Sequence, residues 1–139
     1  MKKPDNKTLI RQYVEQIENT GDVSSIHEFI SEDYTEVYEG ERYPIGIQGA
    51  IDHILGVRRV FPDLTIKIEN QISEGDWVVT IYSATGSFQN EWFGMKPTGK
   101  LITFTGVNVD RIKVGKIIEH GGAVNMFEPL LKAGVIEKK

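Results

Sequence analysis

The hydrophobic period of this chain changes once, at Pro62, and that change limits the folds open to it. Before Pro62 the apolar residues recur at helical spacing. Leu9, Ile10, Tyr13, Val14 and Ile17 predict an amphipathic helix over residues 7–19, with Gly21 suited to a left-handed helix end. Val23, Ile26, Phe29 and Ile30 mark a second, short helix that Asp22 or Ser24 can cap. Ile51, Ile54, Leu55 and Arg58 place a third over residues 50–60, and Pro62 stops it, because proline disfavours helical geometry in the residue before it. Residues 34–49 have no clear period.

Beyond Pro62 the period is two. Leu64, Ile66 and Ile68 alternate with Thr65, Lys67 and Glu69, as in a half-buried strand. Glu74-Gly75-Asp76 reads as a turn, residues 77–89 as a long strand and residues 93–99 as a loop. Residues 101–112 form a further strand, which the Val114-Gly115 turn joins to a hairpin partner over residues 116–124. Residues 127–132 suit a short closing helix. Helices first and strands after predict one α+β domain over residues 1–139, with N-terminal helices packed in a strongly curved antiparallel sheet. Gly86, Gly106, Gly121 and Gly122 lie inside strands, where glycine marks bulges or sharp bends. A sheet bent that far around helices makes a cone with a pocket inside.

Composition removes several function classes. The net charge is −4, and the basic pairs Lys2-Lys3, Arg58-Arg59 and Lys138-Lys139 are isolated, so no nucleic-acid partner is expected. No window approaches the ~20 apolar residues of a membrane span, and the basic start lacks the apolar run of a signal peptide. Together with the absence of cysteine, this leads to the expectation of a cytoplasmic protein without disulfides or thiolate metal sites. His27, His53 and His120 are far apart and form no His-x-x-x-His or Glu-x-x-His pair, so no metal is expected. Neither a phosphate-binding glycine loop nor a nucleophile elbow is present, so we expect no cofactor and no covalent nucleophile.

Three short motifs, in this order and spacing, carry a resemblance: Phe61-Pro62-Asp63-Leu64, Pro97-Thr98-Gly99-Lys100 and Gly115-Lys116-Ile117-Ile118-Glu119-His120. From about Tyr13 to Gly134 the chain resembles the SnoaL-like polyketide cyclases of the nuclear-transport-factor-2-like superfamily. The resemblance implies a cone-shaped fold and a pocket whose histidines and aspartate move a proton at a carbon next to a carbonyl. At the matching positions this chain has Asn125 for the aspartate, Phe88 and Val37 for histidines, and Gly121 for a tryptophan. A second similarity, to ketosteroid isomerases, places Asn108 where an oxyanion-holding aspartate lies; an amide can donate the same hydrogen bond. The matching region for that family's base offers Tyr38 and Glu39.

Each candidate has a plainer reading. Asn125 either lines the pocket or caps the turn after the last strand. Asn108 either enters a cavity or faces solvent. Asp110 shares its parity and is either a buried base or the partner of a surface lysine. His120 has the opposite parity to Asn125 on a regular strand, so a bulge at Gly121-Gly122 would be needed to bring both inside; its plainer place is the sheet surface. Tyr82, Phe88 and Trp92 share even parity; with Tyr13, Phe61 and Phe104 they either line a cavity for a flat apolar ligand or fill a core. His27 and His53 are expected to be exposed.

The leading expectation is a pocket for a small, mostly apolar carbonyl compound, with Asn108 and Asn125 holding the carbonyl oxygen. Proton transfer at carbon, as in cyclisation or isomerisation, would fall to Asp110, Glu39 or His120. The alternatives are a non-catalytic ligand-binding module and a dimerisation module. A homodimer through the outer sheet face is expected in every case.

Overall fold

A computed structural model describes residues 4–137, so the basic pairs at 2–3 and 138–139 lie outside the described residues. Asp5 caps helix α1 (Asn6–Tyr13) by accepting from the Thr8 amide at 2.8 Å. The helix then widens into a π turn, Val14–Glu18, closed by the Asn19 N–H donating to the Val14 carbonyl at 2.8 Å. Gly21 follows at φ +73°, the left-handed end foreseen from sequence. The second helix shrinks to one 3-10 turn, Ile26–Glu28, because the chain leaves it at once to enter a strand.

Residues 34–49, unreadable by period, contribute to a hairpin of β1 (Ile30–Tyr38) and β2 (Glu41–Pro44), and to the start of α2 (Gly46–Val60). The remaining strands are β3 (Thr65–Glu74), β4 (Trp77–Ser87), β5 (Leu101–Lys113) and β6 (Lys116–Asn125), and α3 (Phe127–Lys132) closes the chain. The fold is α+β, with a six-stranded curved open sheet in the order β2-β1-β6-β5-β4-β3. One pairing differs from the antiparallel expectation. The first strand, β1, runs parallel to the last, β6.

The strand glycines expected to be bulges are not where register breaks. The irregularities fall between Ile30 and Thr35, between Ile68 and Asn70 and between Arg111 and Ile112, while β5–β6 pairing runs unbroken through Gly121 and Gly122. Gly106 serves close approach instead: a Cβ there would collide with the Tyr82 hydroxyl. Even-numbered residues of β4 and β5 face inward. Val78, Ala84, Ile102, Phe104 and Asp110 are accordingly buried, whereas Trp77, Ile81, Leu101 and Val107 are exposed on the outer face.

Two apolar clusters fill the inside. One packs α1 and the π turn against β1, β5 and β6 through residues such as Ile17, Ile30, Ile112 and Ile117. The other centres on Phe61, Phe88 and Ile102 and takes in Leu130 of α3. Arg58 ties the elements between them. Its guanidinium donates to the backbone carbonyls of Glu18 and Leu64, both at 3.0 Å, and of Pro62 at 2.7 Å.

Candidate active site

A cavity of about 230 Å³ opens between the two clusters. Phe61, Ile66, Tyr82, Trp92, Phe104 and Val124 supply most of its apolar wall. Trp92 comes from the 88–100 loop rather than from the strand. It is turned inward by a two-residue hairpin in which Phe93 (φ +49°) and Gly94 (φ +80°) separate Trp92 from Met95. Five polar side chains break the apolar lining: Glu18, Arg58, Asn108, His120 and, at the exposed rim, His53.

The sheet register arranges the chemistry. Val78, Asp110, His120 and Glu36 form one inner row across β4, β5, β6 and β1, each directly opposite the next. An imidazole therefore sits between two carboxyl groups. Its Nδ1 lies 2.6 Å from Asp110 Oδ1. Asp110 is only 3% exposed, and the His120 side chain 26%. Tyr34 donates its hydroxyl to Glu36 Oε1 at 3.0 Å, fixing the second carboxyl group.

Burial alone would push the His120 imidazole down. The Asp110 carboxylate outweighs it by charge and by hydrogen bond, Glu36 and Glu18 add to this, and the pKa rises to about 9. His120 is therefore an imidazolium at neutral pH, with Nδ1–H given to Asp110 and Nε2–H free to donate. Glu18 is also shifted upward, which for a carboxyl group favours the neutral form. Burial raises it, His120 lowers it in part, Asp110 and Glu36 raise it further, and it comes to about 7. One cavity thus holds a fixed cationic donor and a carboxyl group that ionises near neutrality. Among the described residues no group of three His, Cys, Asp or Glu side chains is placed to hold a metal ion.

A family model describing the SnoaL-like polyketide cyclases matches residues 7–131. The chain belongs to the SnoaL-like polyketide cyclase family. Among solved structures, AclR of Streptomyces galilaeus, provisionally assigned as a hydroxylase, superposes with a TM-score of 0.81 at 26% identity, covering 95% of this chain and 86% of AclR. IdmH of Streptomyces antibioticus, provisionally assigned as a polyketide cyclase, gives 0.80 at 26% identity, covering 95% of this chain and 100% of IdmH. A protein of Acidithiobacillus ferrooxidans with the same provisional assignment gives 0.83 at 20% identity, covering 92% and 93%; this likeness speaks to fold alone. No functionally curated protein matches the chain.

Within this SnoaL-like domain the sequence candidates divide by face. Asn108 and His120 reach the cavity, and Asp110 stands behind His120 as its partner. Phe61, Tyr82, Trp92 and Phe104 line the wall, whereas Phe88 is fully buried against Phe61. Tyr13 lies in the core against Phe29. Asn125 is exposed and pairs with Thr105, because β6 stays regular through its glycines and odd positions point outward. Val37 and Gly121 sit together in a groove on the outer face, with Arg42 and Glu119. Tyr38 and Glu39 are exposed at the β1–β2 turn, away from the cavity. His27 is exposed as expected; His53 is exposed too, yet reaches the cavity rim.

Glu18 is the functional candidate that sequence reading missed. Its signal was present: Ile10, Val14 and Glu18 are spaced by four, so an acid occupies the apolar stripe of the first helix.

Proposed function

We propose that this SnoaL-like domain binds a small, mostly apolar carbonyl compound in the cavity and catalyses proton transfer at the carbon beside the carbonyl, as in ring closure or isomerisation. The observation that carries the proposal is His120, its Nδ1 held by Asp110 at 2.6 Å and its ring presented to a mostly apolar cavity. A desolvated cation with a free N–H is matched to an oxygen that gains negative charge, as a carbonyl oxygen does when its neighbouring carbon loses a proton. Asn108, from the next inner row, offers an amide to the same oxygen or to a second polar group. The cavity suits one or two rings, since about 150 Å³ is enough for a benzene. The cyclase assignment of IdmH fits this chemistry. A purely binding role, the alternative, has no need of an imidazolium held so far above its ordinary range.

A thermal-shift panel of monocyclic and bicyclic ketones and esters tests the cavity. A ligand at a hundred times its dissociation constant should stabilise the fold by about 2.7 kcal/mol. No dose-dependent shift from any member would refute the proposal.

The outer sheet face supports the expectation of a homodimer. Ile72, Val79 and Val109 lie in one row across three strands, Ile81 and Val107 form the next pair, and Trp77 flanks them. Ile72 is 58% exposed, which is a large apolar area to leave in water. Ile81→Glu is expected to convert a dimer to a monomer in sedimentation velocity without unfolding it. A wild-type chain that is monomeric at high concentration would end this reading.

A further inference from the structure

Three carboxyl groups are within electrostatic reach of His120, and two of them are occupied. Asp110 holds the imidazolium, and Glu36 accepts from Tyr34. Among the described residues none donates a hydrogen bond to the carboxyl group of Glu18, which lines the cavity from the opposite side of the fold to the sheet. Its backbone is fixed on both flanks. The Arg58 guanidinium donates to the Glu18 carbonyl at 3.0 Å. The next residue, Asn19, bonds β3 twice: its side-chain N–H₂ donates to the Ile66 carbonyl at 3.0 Å and its Oδ1 accepts the Ile66 N–H at 2.7 Å. The π turn that ends at Glu18 sets the angle at which it leaves the helix, and such turns cluster at functional sites.

Resting on the carbonyl reading of the cavity, we infer that Glu18 is the general base, taking the proton from carbon while His120 holds the carbonyl oxygen. The C–H bond beside the carbonyl breaks, and its electron pair becomes the C=C of an enolate. The carbonyl π pair moves to oxygen, where the Nε2–H of His120 meets it. The proton resides on Glu18 and returns to carbon from there, so the step balances without a co-reactant. Glu39, the acid proposed for this task from sequence, is on the far turn, and Asp110 is committed to His120.

The surroundings set the working pH. Asp110 and Glu36 face Glu18 from the sheet and oppose its ionisation, whereas His120 favours it. Tyr13 on its own helix and Tyr82 on β4 feel its charge, and His53 and Arg58 line the cavity from α2. The result, near 7, is where a base both ionises and binds a proton usefully.

The test is hydrogen–deuterium exchange at the carbons beside the carbonyl of 2-tetralone in D₂O, followed by NMR, with ketone binding measured in parallel by thermal shift. Glu18→Gln should keep the shift and lose about 10²–10⁴ in exchange rate. The wild-type rate should rise with pH through about 7 and fall through about 9. Equal exchange by Glu18→Gln would place the base elsewhere and leave the carbonyl reading intact. Loss of binding together with exchange would make Glu18 a binding group and overturn the inference. No shift and no exchange by the wild type would sink the carbonyl reading, and the role of Glu18 with it. Should Glu18→Gln fail to fold, the wild-type limb near 7 decides: its presence supports Glu18, its absence removes it.

Discussion

Replacing His120 with glutamine is expected to lower turnover of any accepted carbonyl substrate by about 10²–10³, the usual cost of removing one oxyanion donor. Glutamine can still donate a hydrogen bond from this position, but a neutral one. The variant therefore isolates what the charge contributes, with ligand affinity changing far less than kcat. Asp110→Asn is the companion measurement. It leaves the cavity wall untouched and removes the anion that outweighs the desolvation of His120. The alkaline limb of the pH–rate profile, expected at about 9, should move to lower pH. Stability should follow the same group. Its folded pKa lies above the ordinary 6.5, so the stabilisation from the pair is complete below 6.5 and is lost as pH rises through about 9. Urea midpoints of the wild type should fall across that window, and those of Asp110→Asn should fall less. A rate unaffected by His120→Gln would remove the imidazolium from the mechanism.

Phe61→Ala is expected to cost about 3–5 kcal/mol in equilibrium unfolding, the largest stability loss of any single truncation near the cavity. Phe61 is 2% exposed and meets three other aromatic rings: Phe88 with centroids 5.9 Å apart, Trp92 at 5.7 Å and Phe104 at 6.0 Å. Its backbone N–H also closes α2 on the Val57 carbonyl. The ring already borders open space, so the wall cannot collapse to refill what is removed, and the cavity contribution to the loss is felt in full. The same variant should accept bulkier ketones than the wild type in the thermal-shift panel. A loss below about 1 kcal/mol would mean the aromatic cluster repacks freely.

Much of this architecture is legible in the sequence, for a physical reason. Elements buried on one face carry their period in the sequence, and α1, β4 and β5 are such elements. The β1–β2 hairpin was not legible because β2 is exposed along its whole length and imposes no alternation. Its pairing is set instead by the turn at Glu39-Gly40, both at positive φ. Within the site, strand parity separates His120 from Asn125, and the unbroken register of β6 keeps them on opposite faces. Reading both glycines as a bulge would have needed a register break that falls three residues earlier, beside Ile118. Glu18 escaped notice because a glutamate on a helix is ordinarily a solvated residue. Only its position in the apolar stripe set it apart, and the π turn that aims it leaves no trace in residue type.

The parallel pairing of β1 with β6 also has a consequence in time. Ile30 lies opposite Ile117, and Glu36 opposite His120, so the charged row of the site joins two distant parts of the chain. Such contacts repay their loop-closure entropy only after everything between them is in place. A chain emerging from the ribosome can form α1, the β1–β2 hairpin and the β3–β4 pair from local contacts. It cannot bring Glu36 beside His120 until the β5–β6 hairpin docks against β1. Docking of that hairpin on β1 is therefore expected late in folding, and until then the apolar side of α1 has only part of its cover. The step that completes the chemistry is also the step that seals the core.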